Sequence, residues 1–544
     1  MTDARDDMLP EHADNVLTRG LGPPMDWGQS LALLRRGIDR DAAALRLRPH
    51  LRRYCVLRLL DWVEPLGPQV DLVERVGMVI RQGYKGRDPA RGQHRDALLD
   101  AVDRLESNDL HRPGKRFEST AVGFALLGHP GMGKSLTMNR ILASYPCVLR
   151  PDLPYSLLQV PCLKVECPSK GSDAQFCRAF FVALDNRLGT TSYAKEYGGP
   201  RETTDRMLLH VQHLCHLHAI GVLVIDEIQH LNESTTGPKK LMNFLVTLVN
   251  LVGVPVVLVG TMAARRIIQQ DFREARRATG LGSPVWERLL PGEDWDDFVD
   301  RLWEHQWTAV PSALTPEMRE VLYQESQGIV DIVVKLFVLA QFRAIALGEV
   351  YGAEEALSAG LLKQIARDEL KLIRPMIDAL RTGRPDALDA YDDLAPLQRH
   401  VEAVLASGVN VSVNELRERL TAGAASARAP AGEKASSTVL RSALEGMGIG
   451  ADVAGRIMAE VEQKHPSGDL FQMLDTARDL AEGTERKRRR TKRASGGRRG
   501  HRVAADPLDL RSGARAVDSR TSAGPGAPGP ADAHVSTVED ALAP

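Results

Sequence analysis

Between residues 120 and 300, short unbroken apolar runs alternate with stretches whose apolar positions recur every three or four residues. AVGFALLG (121–128), the region 157–167, GVLVIDEI (221–228) and PVVLVGT (255–261) read as strands. Residues 135–145, 172–189, 201–219 and 239–252 read as the helices between them. Strands that are apolar throughout, rather than at every second position, predict burial on both faces. The expected fold class is therefore α/β, a mainly parallel sheet flanked by helices. The run 241–261 is the one candidate for a membrane span. It contains Asn243, Asn250, Gly253 and Pro255, so a helix of about 12 residues, a turn and a strand fit it better.

On either side of this block the pattern is helical. Stretches 51–66 and 70–84 carry helical periodicity and predict an N-terminal helical region over 1–110, ahead of an α/β domain over 111–300. Stretches 331–348 and 356–380 predict an all-helical lid over 301–380. A C-terminal helical region over 381–480 is interrupted by the low-complexity segment AGAASARAPAGEKAS (422–436), a linker by composition. Residues 481–544 read as a disordered tail.

Composition narrows the picture only slightly. The 544 residues carry a formal net charge of -1, which excludes a uniformly basic nucleic-acid coat. The charge is uneven, however: residues 486–502 hold ten Lys or Arg and no acid. Such a patch can grip a nucleic-acid backbone, bind an acidic protein surface or simply solubilise the tail. Six cysteines are too few for a disulfide scaffold, and the acidic N-terminus lacks the apolar core of a secretory signal, so a cytoplasmic protein is expected.

The sharpest chemical signal joins the first strand to its helix. Gly128-His129-Pro130-Gly131-Met132-Gly133-Lys134-Ser135 matches G-x-x-x-x-G-K-[ST] in the required strand–loop–helix context. Gly131 and Gly133 let the loop curl so that backbone N–H groups face phosphate, and the opening helix turn adds its positive end. Lys134 is placed to reach the β- and γ-phosphates, and Ser135 to give Mg²⁺ a hydroxyl ligand. About 90 residues on, Asp226 and Glu227 close an apolar strand. Asp226 can hold the metal shell, and Glu227 can polarise an attacking water. Thr261, at the end of the next strand, can contact the γ-phosphate or that water, or be a plain helix cap. His210, His213, Cys215, His216 and His218 crowd one helical stretch. Structural zinc sites instead bring spaced pairs together by a turn, so ordinary buried side chains are the simpler reading.

These motifs resemble those of AAA+ ATPases. With IRQGYKGRDP (80–89) and SQGIVDIVVKLFVLAQFRA (326–344), they are similar more narrowly to the ATP-dependent target regulators of Tn7-like transposons, the TnsC/TniB group. The resemblance spans about residues 60–350. It implies an ATP- and Mg²⁺-dependent ATPase that forms a homo-oligomer on double-stranded DNA and links a target-selection protein to transposase subunits. It puts the phosphate-binding lysine at Lys134, the metal aspartate at Asp226, the catalytic glutamate at Glu227 and the sensor-1 residue at Thr261. A subunit-shared site also needs an arginine from the neighbour, for which Arg276 or Arg277 in FREARRATG (272–280) is favoured over a merely solvated basic helix. The lid offers Lys335 and Arg343 where a sensor-2 arginine is expected. A helicase loader, replication initiator or defence ATPase would share the nucleotide site, and a nucleotide-dependent scaffold would share it without turnover.

Overall fold

The computed structural model describes residues 8–38, 43–114, 116, 119–168, 172–233, 238–265, 282–383, 401, 451–464, 476–477 and 480. All of them fall within one compact unit, Met1–Ala481. The 422–436 linker, the 486–502 basic patch and the segment holding Arg276 and Arg277 lie outside the described residues.

Five strands form the sheet: β1 Phe124–Gly128, β2 Cys162–Glu166, β3 Val222–Asp226, β4 Val256–Gly260 and β5 Val285–Trp286. Their order is β2-β3-β4-β1-β5, and every pairing is parallel. Four of the strands fall where the apolar runs predict them. The two-residue β5 is an addition that no run of this length signals. It pairs Leu127 with Val285 and Gly128 with Trp286.

The strands divide their side chains between two cores. Phe124, Leu126, Val222, Val224, Val257 and Val259 face one, and Ala125, Leu127, Leu223, Ile225, Val256 and Leu258 face the other. This alternation explains the unbroken apolar runs: both faces of each strand are dry. The first face is covered by α1 Gly67–Lys85 and α2 Lys134–Ala143 together with the lid. The second is covered by α3 Asp173–Leu188, α4 Thr204–Leu217 and α5 Pro238–Val252. The helix and strand of 238–260 replace the candidate membrane span. Among the described residues, no helix is long and apolar enough to cross a membrane.

The segment 80–89 closes the end of the sheet away from the glycine loop. Tyr84 donates from its hydroxyl to the Ala219 carbonyl at 2.7 Å, and Arg87, fully buried, donates to the Ile220 carbonyl at 2.7 Å. Gly83 is required here because a Cβ would lie 2.3 Å from the Pro255 ring. Burial lowers the Arg87 pKa from its usual value.

The lid consists of α6 Glu293–Trp303, α7 Pro316–Ser326, α8 Val330–Tyr351, α9 Ala359–Glu369 and α10 Arg374–Thr382. The single stretch expected over 356–380 is thus two helices. Pro375 sits in the first turn of α10, where its missing N–H is harmless, whereas in a continuous helix it would break the bond to residue 371.

Candidate active site

The glycine loop follows directly from β1. Gly131 and Gly133 have φ of 79° and 82°, a left-handed backbone that glycine adopts without strain, and helix α2 begins at Lys134. The loop is anchored on both sides. His129 N–H donates to the Trp286 carbonyl at 3.2 Å, and the Asp331 N–H of the lid donates to the Gly131 carbonyl at 3.0 Å. Lys134 is buried, and its Nζ donates to the Gly128 and His129 carbonyls at 2.8 Å each. Burial pulls its pKa down to about 8, while Glu227 and then Asp226 push it back up. The ammonium is therefore held inside the loop, next to the place where phosphate oxygens would offer it better acceptors.

The sheet delivers the other groups to the same edge. Register pairs Leu127 with Gly260 and Ile225 with Leu258, so the ends of β1, β3 and β4 open onto one side. One cleft of about 370 Å³ is lined there by Pro130, Gly131, Gly133, Lys134, Ser135, Asp226, Glu227 and Thr261. Asp226 is buried and makes an ion pair with Lys164 of β2, whose Nζ lies 2.8 Å from Asp226 Oδ2. Lys164 also donates to Asn139 Oδ1 at 2.9 Å. Thr261 precedes a short turn at Met262–Ala264, but its hydroxyl makes no capping bond. That hydroxyl is buried and has no hydrogen-bond partner among the described residues. A serine hydroxyl and a buried carboxylate beside a phosphate-sized loop are hard oxygen donors. They suit Mg²⁺, which keeps several waters and binds through one or two carboxylates plus substrate phosphates.

The cleft also has an apolar side that sequence reasoning missed. Leu59, Leu60, Trp62 and Val63 approach from the N-terminal region, and Val330 and Val334 from the lid. These residues lie about 270 positions apart in the chain, and no local pattern joins them. Among the lid cations, Lys335 lines the cleft and pairs with Asp331 Oδ2 at 2.6 Å, whereas Arg343 pairs with Glu369 at 2.9 Å.

Among the described residues no group of three or more His, Cys, Asp or Glu could hold a metal ion. His210 stacks on Tyr197 with ring centroids 3.9 Å apart, and His218 meets the Tyr193 hydroxyl at 2.8 Å.

Residues 118–268 match the protein family described as "AAA domain". The chain carries an AAA+ ATPase domain. The matched span runs from just before β1 to just past Thr261, so it contains the glycine loop, Asp226, Glu227, β4 and Thr261. A search of the curated proteins found no match. Among solved structures, the Walker-type ATPase of Pyrococcus abyssi is similar at 13% identity and a TM-score of 0.32, covering 54% of this chain and 76% of that one. The Aeropyrum pernix ORC1 protein, solved in complex with DNA, is similar at 18% identity and a TM-score of 0.31, covering 52% and 66%. Drosophila ORC bound to DNA is similar at 11% identity and a TM-score of 0.31, covering 74% and 89%. Likeness at this level decides nothing about the ligands or partners of this chain.

Proposed function

We propose that this protein is an ATP-hydrolysing AAA+ switch that works on DNA in the bacterial cytoplasm, as a loader, initiator or defence ATPase does. The observation that carries the reading is the single cleft in which Lys134, Ser135, Asp226, Glu227 and Thr261 meet the glycine loop. In this reading the loop N–H groups and Lys134 hold the β- and γ-phosphates, and the apolar wall of Leu59, Trp62, Val330 and Val334 takes the base. Ser135 and Asp226 hold Mg²⁺, which would neutralise charge on the phosphates. Glu227 orients the water, and Thr261 uses its unpartnered hydroxyl to fix that water or the γ-phosphate. Arg276 or Arg277 of a neighbouring copy completes the site, which makes the active form a homo-oligomer.

Support for DNA as partner comes from the ten cations of 486–502, whose contribution is electrostatic and independent of base sequence. The narrower reading, a transposition regulator that joins a target-selection protein to transposase subunits, has its support in the sequence resemblance of segments 80–89 and 326–344. The test is phosphate release by the full chain with and without duplex DNA, for wild type and Glu227→Gln. The proposal expects DNA to raise turnover, and the variant to bind ATP while hydrolysing it far more slowly than wild type. A wild-type chain that binds ATP but never releases phosphate, with or without DNA, would make it a scaffold.

A further inference from the structure

We propose that Gln229 is a positioning residue of the hydrolytic site, setting the carboxylate of Glu227 relative to Thr261. The inference rests on the reading of Glu227 as the water-orienting group. Gln229 lies in the short 3-10 helix Ile228–Glu233 that follows β3, and 1% of its surface is exposed. Its Nε2 donates to Glu227 Oε2. Its Oε1 accepts from the Thr261 N–H at 3.1 Å. The orientation of the amide is fixed by its partners, since an ionised carboxylate only accepts and a backbone N–H only donates. One buried side chain thus spans the ends of β3 and β4, the two strands that carry the proposed water-handling groups.

The backbone around this amide shows what it has to hold. Glu227 has φ of 58°, a left-handed conformation that is strained for a non-glycine residue and persists only where its surroundings enforce it. The enforcing contacts are on hand. Glu227 N–H donates to Asp226 Oδ1 at 2.9 Å, its carbonyl accepts from His230 N–H at 3.1 Å, and its carboxylate is held by Gln229. Gly260 is required beside them because a Cβ there would lie 2.5 Å from Ile228 and 3.1 Å from Gln229 Oε1. Thr261 donates its N–H to Gln229, while its hydroxyl stays buried and unpartnered. The amide therefore fixes both groups by bonds that leave the Thr261 hydroxyl to the cleft. Asparagine is one methylene too short to span both partners. Ionised glutamate places a second carboxylate against Glu227, and leucine keeps the volume but makes neither bond.

The experiment is a double-mutant cycle on the full-length protein, combining Gln229→Leu with Glu227→Gln and measuring DNA-stimulated kcat, KM and ATP affinity. Gln229→Leu should lower kcat at least tenfold, because misplacing a reacting group by about 1 Å can cost of the order of 100-fold. ATP affinity should stay within about twofold, since the amide does not line the cleft. In the Glu227→Gln background, Gln229→Leu should cause a much smaller further fold loss, because the part of its effect that passes through the carboxylate is already gone. Gln229→Glu should also lower kcat. A strand-end tie with a purely structural role would instead lower thermal stability with kcat unchanged in the folded fraction. Wild-type kcat for Gln229→Leu beside a strongly slowed Glu227→Gln overturns this inference alone, and so does an equal fold loss from Gln229→Leu in both backgrounds. Wild-type turnover by Glu227→Gln overturns the functional reading beneath it. If Gln229→Leu does not fold, Gln229→Met removes the same bonds from a flexible side chain of similar length and carries the same test.

Discussion

Changing Glu355 to Ala should destabilise the protein more than any exposed ion-pair substitution, because Glu355 is one half of a nearly dry bidentate pair. Arg52 lies on the helix Pro49–Val56 and Glu355 just beyond the end of α8. Their side chains keep 4% and 8% exposure. Arg52 Nη2 donates to Glu355 Oε1 at 2.6 Å, and its Nη1 donates to Glu355 Oε2 and, at 2.8 Å, to the Trp307 carbonyl. Ala309 N–H also donates to Glu355 Oε2, at 2.8 Å. Truncation leaves a guanidinium and an N–H buried without their acceptor. Breaking such a pair costs about 3–5 kcal/mol, a large share of a total of roughly 5–15 kcal/mol. At about 2–4 °C per kcal/mol, the thermal midpoint should fall by roughly 6–20 °C. Calorimetry on wild type, Glu355→Ala and the double variant Arg52→Met/Glu355→Met measures it. The double variant should recover much of the loss, since no unpaired charge remains. A Glu355→Ala shift below about 1 kcal/mol, or a double variant no more stable than the single one, would refute the reasoning.

Two further outcomes follow from buried charge. Lys164→Met leaves Asp226 without its ammonium, so the nucleotide-free midpoint should drop by the equivalent of about 3 kcal/mol, and Mg-ATP should protect the variant more than wild type. Equal protective shifts in a thermal-shift assay would contradict the placing of Mg²⁺ at Asp226. Burial lowers the pKa of His94, His210, His213, His216 and His218 below the ordinary 6.5. A depressed histidine contributes stability that is fully present above pH 6.5 and is lost as pH falls toward the folded pKa, because the unfolded chain takes up the protons first. The urea midpoint should therefore fall between pH 7.5 and 5.5, where most carboxylates stay ionised, and an unchanged midpoint would count against the burial of these rings.

Much of this arrangement was legible in the sequence because its signals are local. Val222–Asp226 and Val256–Gly260 announce themselves by being apolar on both faces, and the glycine loop by its position between β1 and a helix. What was not legible depends on distance along the chain. Val285–Trp286 is too short to show a period, and it is a strand only because β1 and Gly128 lie beside it. Leu59 and Trp62 meet Val330 and Val334 through packing that no window of sequence contains. Gln229 looks like any polar residue after a strand until the Thr261 N–H, 32 residues on, is found against its amide. The expected helix over 356–380 failed at Pro375, a breaker visible in the sequence but outweighed there by the apolar periodicity around it.

The central claim is that the glycine loop and Lys134 hold nucleotide phosphates. Calorimetric titration of the full-length wild type and Lys134→Ala with Mg-ATP tests it most directly. Lys134 would supply charge-assisted hydrogen bonds worth roughly 1.5–3 kcal/mol, so the variant should bind ATP about 10- to 150-fold more weakly while keeping its thermal midpoint within a few degrees of wild type. Unchanged affinity in a folded variant would contradict the account.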